Sequence, residues 1–265
     1  MKKQKSDYAI QTVANALKLL EAFRDGEDLG VTELSRRLDL HKNNVFRLLA
    51  TLQLHGYVEQ RVDSDRYGLG AGCLELGQSF LKSRALLRRA RALLEEIAAG
   101  SGESSHLAVL RDFEVVHLDG IASEQLVGTG SRIGRSLPAH CTALGKVLLG
   151  CSNQSLIEEF ERARTGTLDA RTSATIVDAH KLFDQIRSAA VRGYALDVEE
   201  CEPGLACVAA PVFGTSGEAV AALSVSGPVF RMDEERMLNE LVPMVTGAAE
   251  RLSSDLGFAH PAPGA

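Results

Sequence analysis

Lys42, Asn43, Asn44, Phe46 and Arg47 fall within six consecutive positions, and all are side chains suited to a DNA groove. Asparagine pairs through two hydrogen bonds with adenine and arginine with guanine, each good pair giving ~1–3 kcal/mol of discrimination. Lysine more often meets phosphate, and a phenylalanine ring fits a thymine methyl. Any amphipathic helix turns polar groups to water, so this row alone does not decide between a reading edge and a solvated face. The cations around it favour the reading edge, although Glu33, Asp39, Asp63 and Asp65 lie in the same domain. Ser35, Arg36 and Arg37 precede the row and Arg61 and Arg66 follow it, placing phosphate-clamping groups on both sides.

The elements that must hold this row can be read from apolar spacing. Ile10, Val13, Ala14, Leu17, Leu20 and Phe23 recur at three- and four-residue steps, which predicts a helix with that face toward a core. Thr32 is the expected N-cap of a second, two-turn helix running to Leu38. Val45, Leu48, Leu49 and Leu52 repeat the helical spacing until His55 and Gly56 end it, turning the Lys42–Arg47 row outward. Tyr57–Val62 and Arg66–Leu69, around an Asp63-Ser64-Asp65 corner, form a hairpin. Helix, helix, turn, helix and hairpin make a winged helix-turn-helix over residues 8–72. Residues 73–100, rich in Leu, Ala and Arg and free of proline, are expected as a linker and dimer helix.

Charge is distributed unevenly. The formal charge of the 265 residues is −6, so overall basicity gives no argument for nucleic acid. Residues 1–72 carry 11 basic and 10 acidic side chains, residues 73–100 carry 5 and 3, and residues 101–265 carry 13 and 22. One winged domain with so small a surplus binds DNA weakly, so two copies are required, reading half-sites about one helical turn, ~34 Å, apart or a multiple of it. Lys2, Lys3 and Lys5 form a basic arm that adds unspecific attraction.

Beyond Gly102 the pattern changes. His106–Leu110 and Val115–Ile121 read as strands, and Thr142–Leu149, Leu156–Ala163 and His180–Arg192 as helices. Cys207–Phe213 and Ala219–Ser226 read as a strand pair around a Gly-rich turn, followed by a last helix from Asp233 to about Asp255. The whole is α+β, with a flexible tail over 258–265. No signal peptide and no run of 18 apolar residues is readable, so the expectation is a cytoplasmic protein with no membrane partner. Five cysteines without a C-x-x-C pair fit free thiols.

Three signals resemble catalysis and are set aside. Gly145-Lys146 is followed by valine and lacks the phosphate-loop frame. His140 and Cys141 are adjacent, and neighbouring side chains point apart. Cys141, Cys201, Cys207, His140 and Asp197 show no metal-ligand spacing. No catalytic residue, metal or cofactor is expected.

Val31-Thr32-Glu33-Leu34-Ser35, Arg47-Leu48-Leu49-Ala50-Thr51-Leu52 and Gly56-Tyr57-Val58 resemble the DNA-binding domain of the IclR family of bacterial transcriptional regulators. Leu137–Lys146, Arg192–Asp197 with Glu199-Glu200, Pro203–Phe213 and Leu223–Pro228 carry the resemblance in family order through the second half. The recognition helix departs from the family, having His41, Lys42, Asn43 and Asn44 where relatives usually have Pro, Lys and Ser. The resemblance implies a C-terminal effector-binding domain of GAF-like fold over 101–257, and dimers that associate to tetramers. It also implies an effector site at Leu126, Thr129, Leu137, Ala143, Leu144, Asp197, Cys207, Ser224 and Ser226. The leucines would supply apolar wall and the hydroxyls and Cys207 would orient ligand oxygens. Asp197 would accept from a ligand hydroxyl, and the free N–H groups at the start of the Thr142 helix would receive a carboxylate. The expected partners are therefore a double-stranded DNA operator, a small organic acid and a second copy of the chain, with a repressor preferred over an activator. A GAF-like sensor or thiol or metal enzyme, whose winged domain contacts protein, is the alternative.

Overall fold

The computed structural model describes residues 8–24, 26–83, 85–164 and 168–259, so the Lys2, Lys3 and Lys5 arm lies outside the described residues. The chain divides into two compact units, residues 1–84 and 85–265.

The first unit contains α1 (Gln11–Glu21), β1 (Leu29–Gly30), α2 (Val31–Leu38), α3 (Lys42–Leu54), β2 (Val58–Gln60), β3 (Arg66–Leu69) and α4 (Ala71–Ser83). Its core is Leu19, Phe23, Leu29, Leu34, Val45, Leu49, Val58 and Tyr67. The winged helix-turn-helix is present, with two corrections. Leu29 and Gly30 pair with Tyr67 and Arg66 of β3, giving the wing a third strand. Because the chain stays extended to Gly30, Gly30 is the N-cap of α2, and Thr32 is an exposed residue within the first turn. Leu19 of α1 and Phe23, just beyond its end, are buried in the core, whereas Ile10 at the N-cap and Val13 and Leu17 within the helix are more than half exposed. Among the described residues these three form a second apolar stripe that is left exposed.

The expected helix over 73–99 is described as two stretches. These are α4 in the first unit and α5 (Ala85–Ser101) in the second, with Arg84 outside the described residues.

The second unit is built on one antiparallel sheet of β4 (Ser104–Arg111), β5 (Glu114–Ile121), β6 (Ser136–Pro138), β7 (Ala195–Val198), β8 (Leu205–Phe213) and β9 (Ala219–Pro228), in the order β6-β5-β4-β9-β8-β7. On one face pack α5 and α10 (Val242–Asp255), against Leu107, Val208, Val212, Leu223 and Val225. The other face receives α6 (Ala143–Gly150), with α7 (Gln154–Ala163) and α8 (Ala179–Arg192) outside it. Strand register explains this division, since residues directly opposite in a sheet share a face. A bulge at Leu107/Ala108 pairs Ala108 with His117, and so brings His117 to the face that carries His106. Gly120 lies opposite His106, and a Cβ there would stand 2.7 Å from the Ser105 carbonyl oxygen.

The last helix is not continuous. A short α9 (Glu234–Arg236) leads into a π-helical turn, Met237–Leu241, before α10. Pro243 follows this turn and has no N–H to give to an α-helical ladder. The expected flexible tail is corrected at its first residue, because the Phe258 ring stacks on Phe213 at 5.0 Å. Among the described residues no helix is long and apolar enough to cross a membrane.

Candidate functional site

Helix α3 is pinned by Val45 and Leu49, both fully buried, with Leu48 and Leu52 half-buried beside them. Lys42, Asn43, Asn44, Phe46 and Arg47 are all exposed. His41 caps the helix, its Nδ1 accepting from the Asn43 N–H at 3.3 Å, so the residue type that departs from the family performs the capping. Thr32 and Arg36 are exposed on α2.

The flanking cations are less free than the sequence suggests. Arg37 donates to Glu33 at 2.8 Å and to Glu27 at 3.1 Å. Arg61 engages both oxygens of Asp28 at 2.9 and 3.0 Å and also Glu59. This holds the Asp28 carboxyl below its ordinary range. Arg66 donates to the Asp28 carbonyl at 2.7 Å and to Glu33 at 3.3 Å. Among the described residues Arg36, Lys42 and Arg47 form no ion pair. The Ser35 hydroxyl donates to the Leu40 carbonyl at 2.6 Å, so it fastens the turn between α2 and α3 instead of standing ready for phosphate.

The second site is a cavity between α6 and the sheet, lined by Leu137, Thr142, Ala143, Leu144, Asp197, Cys201, Leu205, Cys207, Ser224, Ser226, His106, His117 and Arg132. Cross-strand register assembles it: His106 stands opposite Ser224, Cys207 opposite Ser226, and Asp197 opposite Cys207. His106 Nε2 lies 3.0 Å from Ser226 Oγ, which lies 3.0 Å from Thr129 Oγ1. Thr142 caps α6 by accepting from the Gly145 N–H at 3.1 Å. Among the described residues the N–H groups of Ala143 and Leu144 have no acceptor. The free space is about 30 Å³, room for one or two waters, so an organic ligand enters only with displacement of the wall.

Burial sets the charge states. His106 is pushed down to about 3 by burial and then by His117 and Arg132, and His117 to about 4 chiefly by burial. Asp197 is pushed up to about 7, first by burial and then by Glu200. Its Oδ1 accepts from the Glu200 N–H at 2.8 Å. Cys207 is raised well above the ordinary thiol range by burial.

Of the nine positions expected at the effector site, seven line this cavity. Thr129 is buried at its edge through Ser226. Leu126 is corrected: it lies fully exposed between β5 and β6 and does not reach the cavity. His106, His117, Arg132, Thr142, Cys201 and Leu205 were missed by the sequence reading. The alternation that places Ser224 and Ser226 on one face would have found His106, given the strand pairing.

The catalytic-looking residues have structural partners. Gly145 lets α6 approach the Ala139 backbone, where a Cβ would stand 2.1 Å from the carbonyl oxygen. Lys146, 1% exposed, gives its ammonium to Gln185 at 2.7 Å, to the Leu196 carbonyl at 3.2 Å and to Glu200. His140 Nε2 bonds the Asp169 carbonyl oxygen at 3.0 Å. The Cys141 thiol is raised by its hydrogen bond with the free thiol of Cys201 and by burial, the opposite of nucleophile activation. Among the described residues no cluster of three or more His, Cys, Asp or Glu side chains is arranged for a metal.

Comparison with known proteins covers both units of the chain. Residues 12–62 match the IclR helix-turn-helix domain, and residues 78–254 match the domain described as bacterial transcriptional regulator IclR C-terminal. The chain is 34% identical over 256 residues to the HTH-type transcriptional regulator KdgR of Escherichia coli, covering 94% of each. It is also 34% identical to the acetate operon repressor of Salmonella typhimurium, covering 94% of this chain and 90% of that one. An IclR transcriptional regulator from Alicyclobacillus acidocaldarius superposes with a TM-score of 0.84 at 25% identity, over 94% of this chain and 100% of that one. With the IclR helix-turn-helix and C-terminal domains matched in order and relatives 34% identical over nearly the whole chain, this chain belongs to the IclR family of bacterial transcriptional regulators.

Proposed function

We propose that the Lys42–Arg47 edge of α3 reads an operator in double-stranded DNA, that a small organic acid in the α6 cavity controls that binding, and that the protein acts in the cytoplasm as a repressor. The carrying observation is the outward row on α3. Five side chains suited to a groove are all exposed on a helix that two fully buried residues fix in place. The repressor reading is supported by the similarity to the acetate operon repressor. The acid reading is supported by the unpartnered N–H groups of Ala143 and Leu144, which favour a carboxylate, and by the hydroxyls of Thr142, Ser224 and Ser226 around them.

The DNA-binding form is a homodimer, able to associate further as a dimer of dimers. The exposed α1 stripe, Ile10, Val13 and Leu17, is the face a second copy would cover, because large apolar patches on a soluble unit mark association surfaces. A ligand can change DNA affinity only by preferring one of two states of the protein.

The test is fluorescence anisotropy with duplex DNA from the region upstream of the protein's own gene, with and without a panel of two- to seven-carbon monocarboxylic acids. Salt-sensitive binding that one acid weakens supports the reading. Absence of binding to that DNA at low salt, or binding that no acid changes, contradicts it.

A further inference from the structure

The α6 cavity contains one fixed positive charge. Its two histidines are held neutral at ordinary pH, and Arg132, from the segment between β5 and β6, is the remaining cation in its wall. The guanidinium is nearly buried, 8% exposed, and its charge acts on His106, His117 and Cys207. Arg132 lines the cavity together with His106 and Cys207. A carboxylate already occupies the guanidinium: Glu202, from the turn between β7 and β8, accepts from Nη1 at 2.8 Å and from Nη2 at 2.7 Å. Arg132 and Leu205 also line a neighbouring open pocket of about 310 Å³, which Glu202 shares. Arg132 thus borders both the cavity and the open pocket that Glu202 lines.

We propose that Glu202 is a tethered competitor for the effector: an incoming carboxylate takes over the Arg132 fork and releases Glu202 to water. The inference rests on the reading of this cavity as an organic-acid site and adds its anchor and its trigger. Three observations carry it. Two parallel N–H donors to two carboxylate oxygens is the geometry that a ligand acid would adopt on arginine. Exchange of one carboxylate for another leaves Arg132 paired throughout, whereas adding an acid beside an intact pair would bury a second negative charge with no new cation. The free space of about 30 Å³ also requires that the wall around Arg132 yields, and Glu202, which lines the neighbouring open pocket and not the cavity, has its side chain 36% exposed and can leave the fork for water. Release of Glu202 would report the occupied cavity at the surface of the β7–β8 turn.

The test is titration calorimetry of the full chain with pyruvate and benzoate, each beside its amide, on wild type, Glu202→Gln and Arg132→Gln. The expected result is binding of an acid but not its amide. The acid should bind about tenfold tighter to Glu202→Gln and at least about tenfold weaker to Arg132→Gln. Thermal melting checks folding, and Arg132→Lys, which keeps the charge and loses the fork, should also weaken binding if Arg132→Gln is unstable. An acid that binds wild type and all variants within about twofold overturns the inference and leaves the α6 N-terminus as sole anchor. If neither acid nor amide binds wild type, the reading of the cavity as a site for such acids fails, and the inference with it.

Discussion

Arg66 on the wing reaches Glu33 on α2, Nη2 to Oε2 at 3.3 Å, and the same carboxylate holds Arg37 at 2.8 Å. One acid thus restrains two of the cations that flank the reading helix. Exposed pairs of this kind contribute little to stability, about 0–1 kcal/mol, so the effect falls on DNA binding. Glu33→Gln should leave the melting temperature nearly unchanged, raise DNA affinity and steepen its salt dependence by about one to two released counterions. Anisotropy titrations at several salt concentrations measure both. A variant that binds more weakly, with an unchanged slope, would show that these arginines do not meet phosphate.

Ser35 offers the opposite case. Its hydroxyl is committed to the Leu40 carbonyl at 2.6 Å, across a turn in which Asp39 has φ 52°. Ser35→Ala should cost about 1 kcal/mol in urea unfolding, with DNA affinity unchanged once the folded fraction is taken into account. A loss of affinity without loss of stability would restore Ser35 as a DNA contact.

The pH dependence of stability should show Asp197. Its carboxyl is raised from 3.8 to about 7 by burial and by Glu200, so the folded state holds the proton more tightly than the unfolded state. That contribution is complete below about pH 4 and is lost as pH rises through about 7. Asp197→Asn keeps an oxygen for the Glu200 N–H and removes the ionisation. Relative to wild type it should therefore gain stability steadily from pH 4 to pH 8. His106 and His117 act with the opposite sign but are common to both proteins, so the difference in melting temperature isolates Asp197. A difference that stays flat with pH contradicts the raised value.

The uncovered stripe of α1 predicts an association defect. Leu17 is 57% exposed, so Leu17→Asp should fold normally. Sedimentation should show a lower association state than wild type, and DNA affinity should fall with it. An unchanged sedimentation profile would remove this face from the dimer.

The apolar spacing in the first unit made its helices and wing legible, because Leu34, Val45 and Leu49 belong to a core built from nearby sequence. The same spacing misled in α1. Periodicity reports that Ile10, Val13 and Leu17 share a face, but it does not say whether that face meets the protein's own core or a partner. The ion pairs of Arg61 and Arg66 with Asp28 and Glu33 were unreadable because they join residues 33 positions apart through the wing. In the second unit the central strands were evident, but the short β6 and β7 were not. Residue types also did not reveal that a bulge at Leu107/Ala108 turns His117 inward. Leu126 was placed by resemblance alone, and its loop leaves it in solvent. Arg132 and Glu202, 70 positions apart, meet only once the sheet is assembled.

The account depends on the α3 edge as the DNA reader. The direct measurement is the affinity of Arg47→Ala and Asn43→Ala for operator DNA and for an unrelated duplex of equal length, alongside wild type. Both side chains are exposed, so melting temperatures should match. Operator affinity should fall by about tenfold or more in each variant, while affinity for the unrelated duplex changes much less. Operator affinity equal to that of wild type in both variants would contradict the claim that this edge reads sequence.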